Sequence, residues 1–409
     1  MRHLSVSLLV TTLFAGTAHA DFTIPGFELV HTSPVETSLT NPDLREPVAV
    51  WRELFDSAKK EIVIAQFYAV SKPGTAFEKV LASLTAAGQR GVKIRFLLDQ
   101  KGVGLSEAAT IARIKAIPNL DLRLIDFNKI TGNGIVHAKY LAVDGEVAYI
   151  GSQNFDWRSF EHIHETGLKI TEPAMVGQVQ AIFEQDWQAQ ALTSQGSRAT
   201  VLNSKVVPAN YAQNAFLLAS PNAYNPAGVG DSETGLPALL AEAQSEVRIQ
   251  LLDYAPLSYG PNRTRPYYAV IDNAVRAAAQ RGVKIKLMVS AWNTEAPAIA
   301  YLKSLALVPN VEIRIVTIPT ASTGFIPFAR VIHSKTMSID GKLAWVGTSN
   351  WAGGYFDLSR NLEVVLRNDA MAQRIAALHE QTWSSAYAQP IDINKQYPKP
   401  AKAAPQGKE

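Results

Sequence analysis

The 409-residue chain contains no cysteine. That excludes disulfides, thiolate metal ligands and lipid attachment through a thiol. It also lacks an H-E-x-x-H run and any clustered carboxylate set, so neither a metal site nor a cofactor is expected. Charge is scarce: Asp, Glu, Lys and Arg make up 18% of the chain, with 39 basic against 36 acidic side chains. A net charge of +3 is too weak to predict a polyanion partner by itself, although a local basic groove remains open. Long apolar runs are absent except at the start. Arg2, the apolar stretch Leu4 to Gly16 and the small-x-small run Ala18-His19-Ala20 read as a secretory signal over residues 1–20, cleaved after Ala20. The stretch is too short for a transmembrane anchor. Its removal leaves 38 basic and 36 acidic side chains, a charge of +2. An export signal without cysteine fits a periplasmic or secreted protein of a bacterium.

What is present is a duplication. Gln89-Arg90-Gly91-Val92-Lys93-Ile94 recurs as Gln280-Arg281-Gly282-Val283-Lys284-Ile285. Each copy follows an Ala-rich helical stretch, with Gly at the helix end and a β-branched strand after it. Apolar strands precede each copy, at Ile62 to Tyr68 and Val247 to Leu252, and follow it, at Leu122 to Ile125 and Val311 to Val316. The pattern is α/β. Hydrophobic residues make up 47% of the chain, enough for a large core. The expected architecture is two duplicated α/β halves, each a mixed sheet flanked by helices, related by a pseudo-two-fold with one active site at their interface. The halves are placed at 21–195 and 196–390, with the join inside the polar stretch Thr193 to Lys205. Pro221 to Pro237 reads as a surface loop, and 391–409 as a disordered tail.

The chemistry lies in a frame that occurs twice, H-x-K-x4-D-x6-G-[ST]-x-N. It holds His137, Lys139, Asp144, Ser152 and Asn154 in one half, and His333, Lys335, Asp340, Thr348 and Asn350 in the other. Val136 to Tyr140 reads as a strand, so His137 and Lys139 project to one face. Asp144-Gly145 and Asp340-Gly341 read as hairpin turns that bring Ser152 and Asn154, or Thr348 and Asn350, back beside the His and Lys. The two aspartates serve the turn or an ion pair rather than proton transfer.

A phosphodiester requires a nucleophile, a proton donor for the leaving oxygen, and positive groups on its non-bridging oxygens. Two histidines supply the first two, because imidazole titrates near neutrality. Lys139, Lys335, Asn154 and Asn350 supply the third. Glu165 and Glu363 are candidates to stand behind an imidazole and fix its tautomer, or else to be exposed strand-end acids. His162 and His164 read as surface groups.

This double frame resembles the HKD signature of the phospholipase D superfamily, over nearly the whole chain beyond residue 20. Further resemblance, to the branch of lysosomal phospholipase D-like 5′ exonucleases and the poxvirus K4-type nicking-joining enzyme, is carried by Gly151 to Ser159, Ser290-Ala291-Trp292, Ile326 to Val331 and Gly347 to Trp351. The resemblance implies a phosphohistidine intermediate, with His137 the nucleophile and His333 its acid-base partner. The absence of cysteines and of a membrane anchor departs from the animal relatives.

The site fixes a phosphodiester and leaves open what hangs from it. Trp292, Trp351, Tyr355 and Phe356 either stack on bases or pack in the core. Arg330 is a candidate second phosphate contact. The leading expectation is an exonuclease on single-stranded DNA or RNA. The alternative is a phospholipase D or transphosphatidylase on phospholipids. A non-catalytic binding protein is disfavoured by intact motifs in both halves.

Overall fold

The computed structural model describes residues 21–197, 210–260 and 264–402. The expected leader at 1–20, most of the expected join and residues 403–409 lie outside the described residues. Runs of Ile, Val and Leu form strands buried on both sides, as in Glu61–Gln66 and Lys93–Asp99. Strands of that composition belong in the middle of a sheet covered on two faces.

Across the first sheet the order is Thr23–Ile24, Phe27–Thr32, Glu165–Ile170, Val147–Gly151, Tyr140–Val143, Glu61–Gln66, Lys93–Asp99 and Leu120–Ile125. The last three are parallel, and the other pairings are antiparallel. The second sheet runs Gly230–Asp231, Ala215–Ser220, Asn361–Arg367, Leu343–Gly347, Thr336–Ile339, Glu246–Leu251, Lys284–Ser290, Val311–Val316 and Ala388–Pro390. From Phe27–Thr32 and Ala215–Ser220 onward the two orders correspond, and the fold is the expected duplicated α/β arrangement.

The repeated Gln-Arg-Gly run has a matched task in each half. Gly91 and Gly282 take φ of +91° and +94°, the left-handed turn that ends a helix and that glycine adopts without a Cβ penalty. The Arg before each reaches back to an earlier helix end: Arg90 Nη2 donates to the Phe55 carbonyl at 2.7 Å and Arg281 Nη2 to that of Leu240 at 2.9 Å. These cap carbonyls that a helix leaves unpaired.

The apolar cluster with the most buried residues spans both halves. Val63, Tyr140 and Phe183 from the first meet Leu217, Val364 and Leu378 from the second. The helices Pro173–Ser194 and Asp369–Trp383 both contribute to it. Two further clusters lie one in each half.

Three expectations are corrected here. The stretch 221–237 is no mere surface loop: Asp231 caps a helix that begins at Ser232 and contains Pro237, and Tyr224 donates its hydroxyl to the Ile130 carbonyl of the other half. Residues 391–402 of the tail are held against the body: the Ile391 N–H donates to the Ile313 carbonyl at 3.0 Å, and that of Phe328 to the Lys402 carbonyl at 2.8 Å. Lys402 also pairs with Glu295 at 2.8 Å. His162 and His164 are buried, because the strand they precede enters the interface between halves.

Candidate active site

The segments carrying His137 to Lys139 and His333 to Lys335 stop short of their own sheets; pairing begins at Tyr140 and Thr336. The expected strand over Val136 to Tyr140 therefore forms only at its end. The motif backbone is tied across the interface instead. The N–H groups of His137 and Ala138 both donate to the Arg360 carbonyl, at 3.0 and 2.9 Å, and those of His333 and Ser334 to the His164 carbonyl, at 2.8 and 3.0 Å. Each half holds the other's histidine.

The residue after each of those carbonyls orients the ring. Glu165 Oε2 lies 2.8 Å from His333 Nδ1, and the Ser159 hydroxyl donates to its other oxygen at 2.9 Å. Asn361 Oδ1 lies 3.0 Å from His137 Nδ1. Glu165 is thus an orienting carboxylate, for the histidine of the opposite half. Glu363 is not: it is fully buried and accepts from the hydroxyls of Ser232 and Ser349. The register explains this, since Glu363 opposes Gly347 as Gly167 opposes Gly151. The sequence held the signal for Asn361: Glu165 and Asn361 each follow their motif asparagine by the same interval.

Both histidines line one cleft of about 650 Å³, together with Asn154 and Asn350. The side-chain oxygens of both asparagines are buried without a protein partner. Lys139 and Lys335 are buried, and each Nζ donates to the carbonyl of the histidine two residues before it. Burial and the facing Lys335 push Lys139 well down; burial pulls Lys335 to about 7 against the opposing pull of Glu165 and Asp253. Burial, then the two lysines, holds both imidazoles well below the usual histidine value. Burial raises Glu165 to about 7. A buried carboxyl and imidazole at this distance titrate as a pair. Among the described residues, no group of three or more His, Asp or Glu is arranged to hold a metal ion.

Residues 51–187 and 236–383 match the domain family described as "Cardiolipin synthase, PLD-like domain". The chain belongs to the phospholipase D superfamily. It is a phosphodiesterase, as enzymes with PLD-like domains are. Among its relatives are phospholipase D Z of Dictyostelium discoideum, 31% identical over 83% of this chain and 85% of that protein, and the 5′-3′ exonuclease PLD3 of Xenopus laevis, 30% identical over 86% and 77%. The crystal structure of a phosphatidylserine synthase from Haemophilus influenzae shares the fold, with a TM-score of 0.60 at 12% identity, over 84% of this chain and 85% of that one.

The other expected site residues of this phospholipase D-like chain divide. Trp292 and Tyr355 line the cleft, and the Tyr355 ring lies 4.8 Å from that of His137. Trp351 does not reach it. Its ring is 1% exposed and packs on Tyr254 and Trp345, and Phe356 is equally buried. Arg330 is also withdrawn: its guanidinium donates to the carbonyls of Pro319 and Val35 at 2.6 and 2.7 Å. Ser152 bonds the Thr166 backbone, and the Thr348 hydroxyl lies 2.9 Å from Asn361 Oδ1. The Asp144 carboxylate accepts the N–H groups of Lys59, Lys60 and Glu61, each at 2.8 Å, and Asp340 those of Gln244, Ser245 and Glu246 at the same distance. Asp253 and Lys402 also reach the cleft, and no sequence motif marks either. No helix of the described residues is long and apolar enough to cross a membrane.

Proposed function

We propose that this phosphodiesterase is a metal-independent exonuclease on single-stranded DNA or RNA, acting through a phosphohistidine. The observation that carries the chemistry is two imidazoles in one cleft, each held at Nδ1 so that Nε2 is left for the substrate. His137 Nε2 attacks phosphorus. The bond to the leaving oxygen breaks as His333 gives that oxygen its Nε2 proton. His333 then takes a proton from water, the water oxygen bonds phosphorus, and the P–N bond returns its electron pair to His137. Lys139, Lys335, Asn154 and Asn350 stabilise the non-bridging oxygens.

The nucleic-acid reading is supported by aromatic cleft walls, Phe67, Tyr68, Trp292, Phe328 and Tyr355, on which bases stack without sequence preference. The exonuclease relatives support it as well. A phospholipid substrate is favoured by a different feature: Leu105 and Phe328 line the cleft and are 49% and 40% exposed. The test is hydrolysis of labelled single-stranded oligonucleotide and of labelled phosphatidylglycerol in excess EDTA. Oligonucleotide turnover is expected. Turnover of lipid alone rejects the nuclease, and loss of all activity in EDTA rejects the metal-free chemistry. The proposal includes export: mature protein from the culture or periplasm should begin at Asp21, read by N-terminal sequencing.

A further inference from the structure

We infer that Asn361 designates His137 as the nucleophile by holding it as the Nδ1-protonated tautomer against an uncharged partner. The inference rests on the two-histidine mechanism proposed above. Its ground is a closed set of hydrogen bonds. The Asn361 Nδ2 group donates to the Tyr355 carbonyl at 2.9 Å, which fixes which end of the amide faces the ring. The Leu362 N–H donates to Thr348 Oγ1 at 3.1 Å, so the threonine proton is directed to Asn361 Oδ1 at 2.9 Å. Oδ1 is therefore an acceptor, and the hydrogen at 3.0 Å must sit on His137 Nδ1. The lone pair is left on Nε2, in the cleft.

The equivalent place behind His333 holds the Glu165 carboxylate. A carboxylate favours an imidazolium, which suits a proton donor. An amide offers no such charge, and the surroundings of His137 oppose one. Lys139 from its own segment, and Lys335 and His333 from the other half, face it with positive or neutral groups. The rings packed on it, Phe67 and Tyr355, are uncharged. The ring thus stays a base.

The amide also governs the second step. Once Nε2 is bonded to phosphorus while Nδ1 keeps its hydrogen, the ring carries a positive charge. A neutral acceptor leaves that charge in place, which keeps the ring a good leaving group when water attacks. A carboxylate there would neutralise the charge and stabilise the intermediate.

The experiment is Asn361→Asp, read in two ways with labelled oligonucleotide. The acid limb of kcat/KM should move up by about one pH unit or more, and the covalent intermediate trapped by alkaline quench should live about tenfold longer. Thermal melting establishes that the variant is folded. Thr348→Val, which frees the amide without adding a titratable group, should slow formation of the intermediate in single turnover with KM unchanged; formation at the native rate overturns the inference. If the native enzyme yields no covalent intermediate, the proposed function fails. If it yields one and Asn361→Asp alters neither limb nor lifetime, Asn361 has no such role while the proposed function stands.

Discussion

A carboxyl group as buried as that of Glu363 resists ionisation, although the hydroxyls of Ser232 and Ser349 that donate to it favour the charged form. Burial raises it to about 7. A raised value in the folded state means that its contribution to stability is full below about 4.5 and is lost as pH rises toward 7. Glu363→Gln keeps the shape and cannot ionise. The melting temperature of that variant relative to the native protein should climb between pH 4.5 and pH 7; a flat difference would show that Glu363 does not titrate in this window. Only the interval from the motif asparagine, which Asn361 shares with Glu165, separates Asn361 from Glu363 in the sequence. Side chains two apart on a strand share a face, so both point inward from Asn361–Arg367. A search for carboxylates selects the wrong one. Trp351 and Arg330 were illegible for a similar reason, since proximity along the chain to a motif says nothing about which side of a loop meets the cleft.

Asp144 shows how a motif residue can serve an element rather than the reaction. It sits at a positive-φ turn position, as Asp340 does, with φ of 55° and 53°. Each carboxylate gathers the N–H groups that lead into the first parallel strand of its half. Partial burial pushes the Asp144 carboxyl up, and these donors outweigh that and hold it below the usual range. The anchoring is present above the ordinary carboxylate pKa and fades as pH falls through the lowered value. Asp144→Ala should lower stability by about 1–2 kcal/mol, toward the low end because solvent screens the site. In urea denaturation the midpoint should fall, with kcat close to native; a large loss of kcat without loss of stability would return Asp144 to the chemistry. At this scale the sequence was informative. Helix ends, strand runs and hairpins follow local turn chemistry, and the repeated Gln-Arg-Gly runs marked equivalent places. The motif segments escaped because their pairing partner, the backbone at His164 and Arg360, lies in the other half.

In the whole molecule, Arg360 joins the halves. Its guanidinium is fully buried, pairs with Asp186 of the first half at 2.8 Å, and donates to the carbonyls of Ser220 and Tyr224. Its own carbonyl holds His137. Arg360→Met leaves Asp186 charged and enclosed, at a cost of about 3–5 kcal/mol. Adding Asp186→Leu should recover part of the stability, because the stranded charge is gone. Calorimetry of the two variants checks this; a double variant less stable than Arg360→Met would contradict it. Activity should stay low in both if losing the guanidinium lets the carbonyl under His137 shift. The unlike pair behind the two rings has a consequence for ancestry. Were this site built by two copies of one polypeptide related by symmetry, a single codon would specify both backing residues, and Glu opposite Asn could not be written. Only after the copies share one reading frame can mutation give each histidine its own trade.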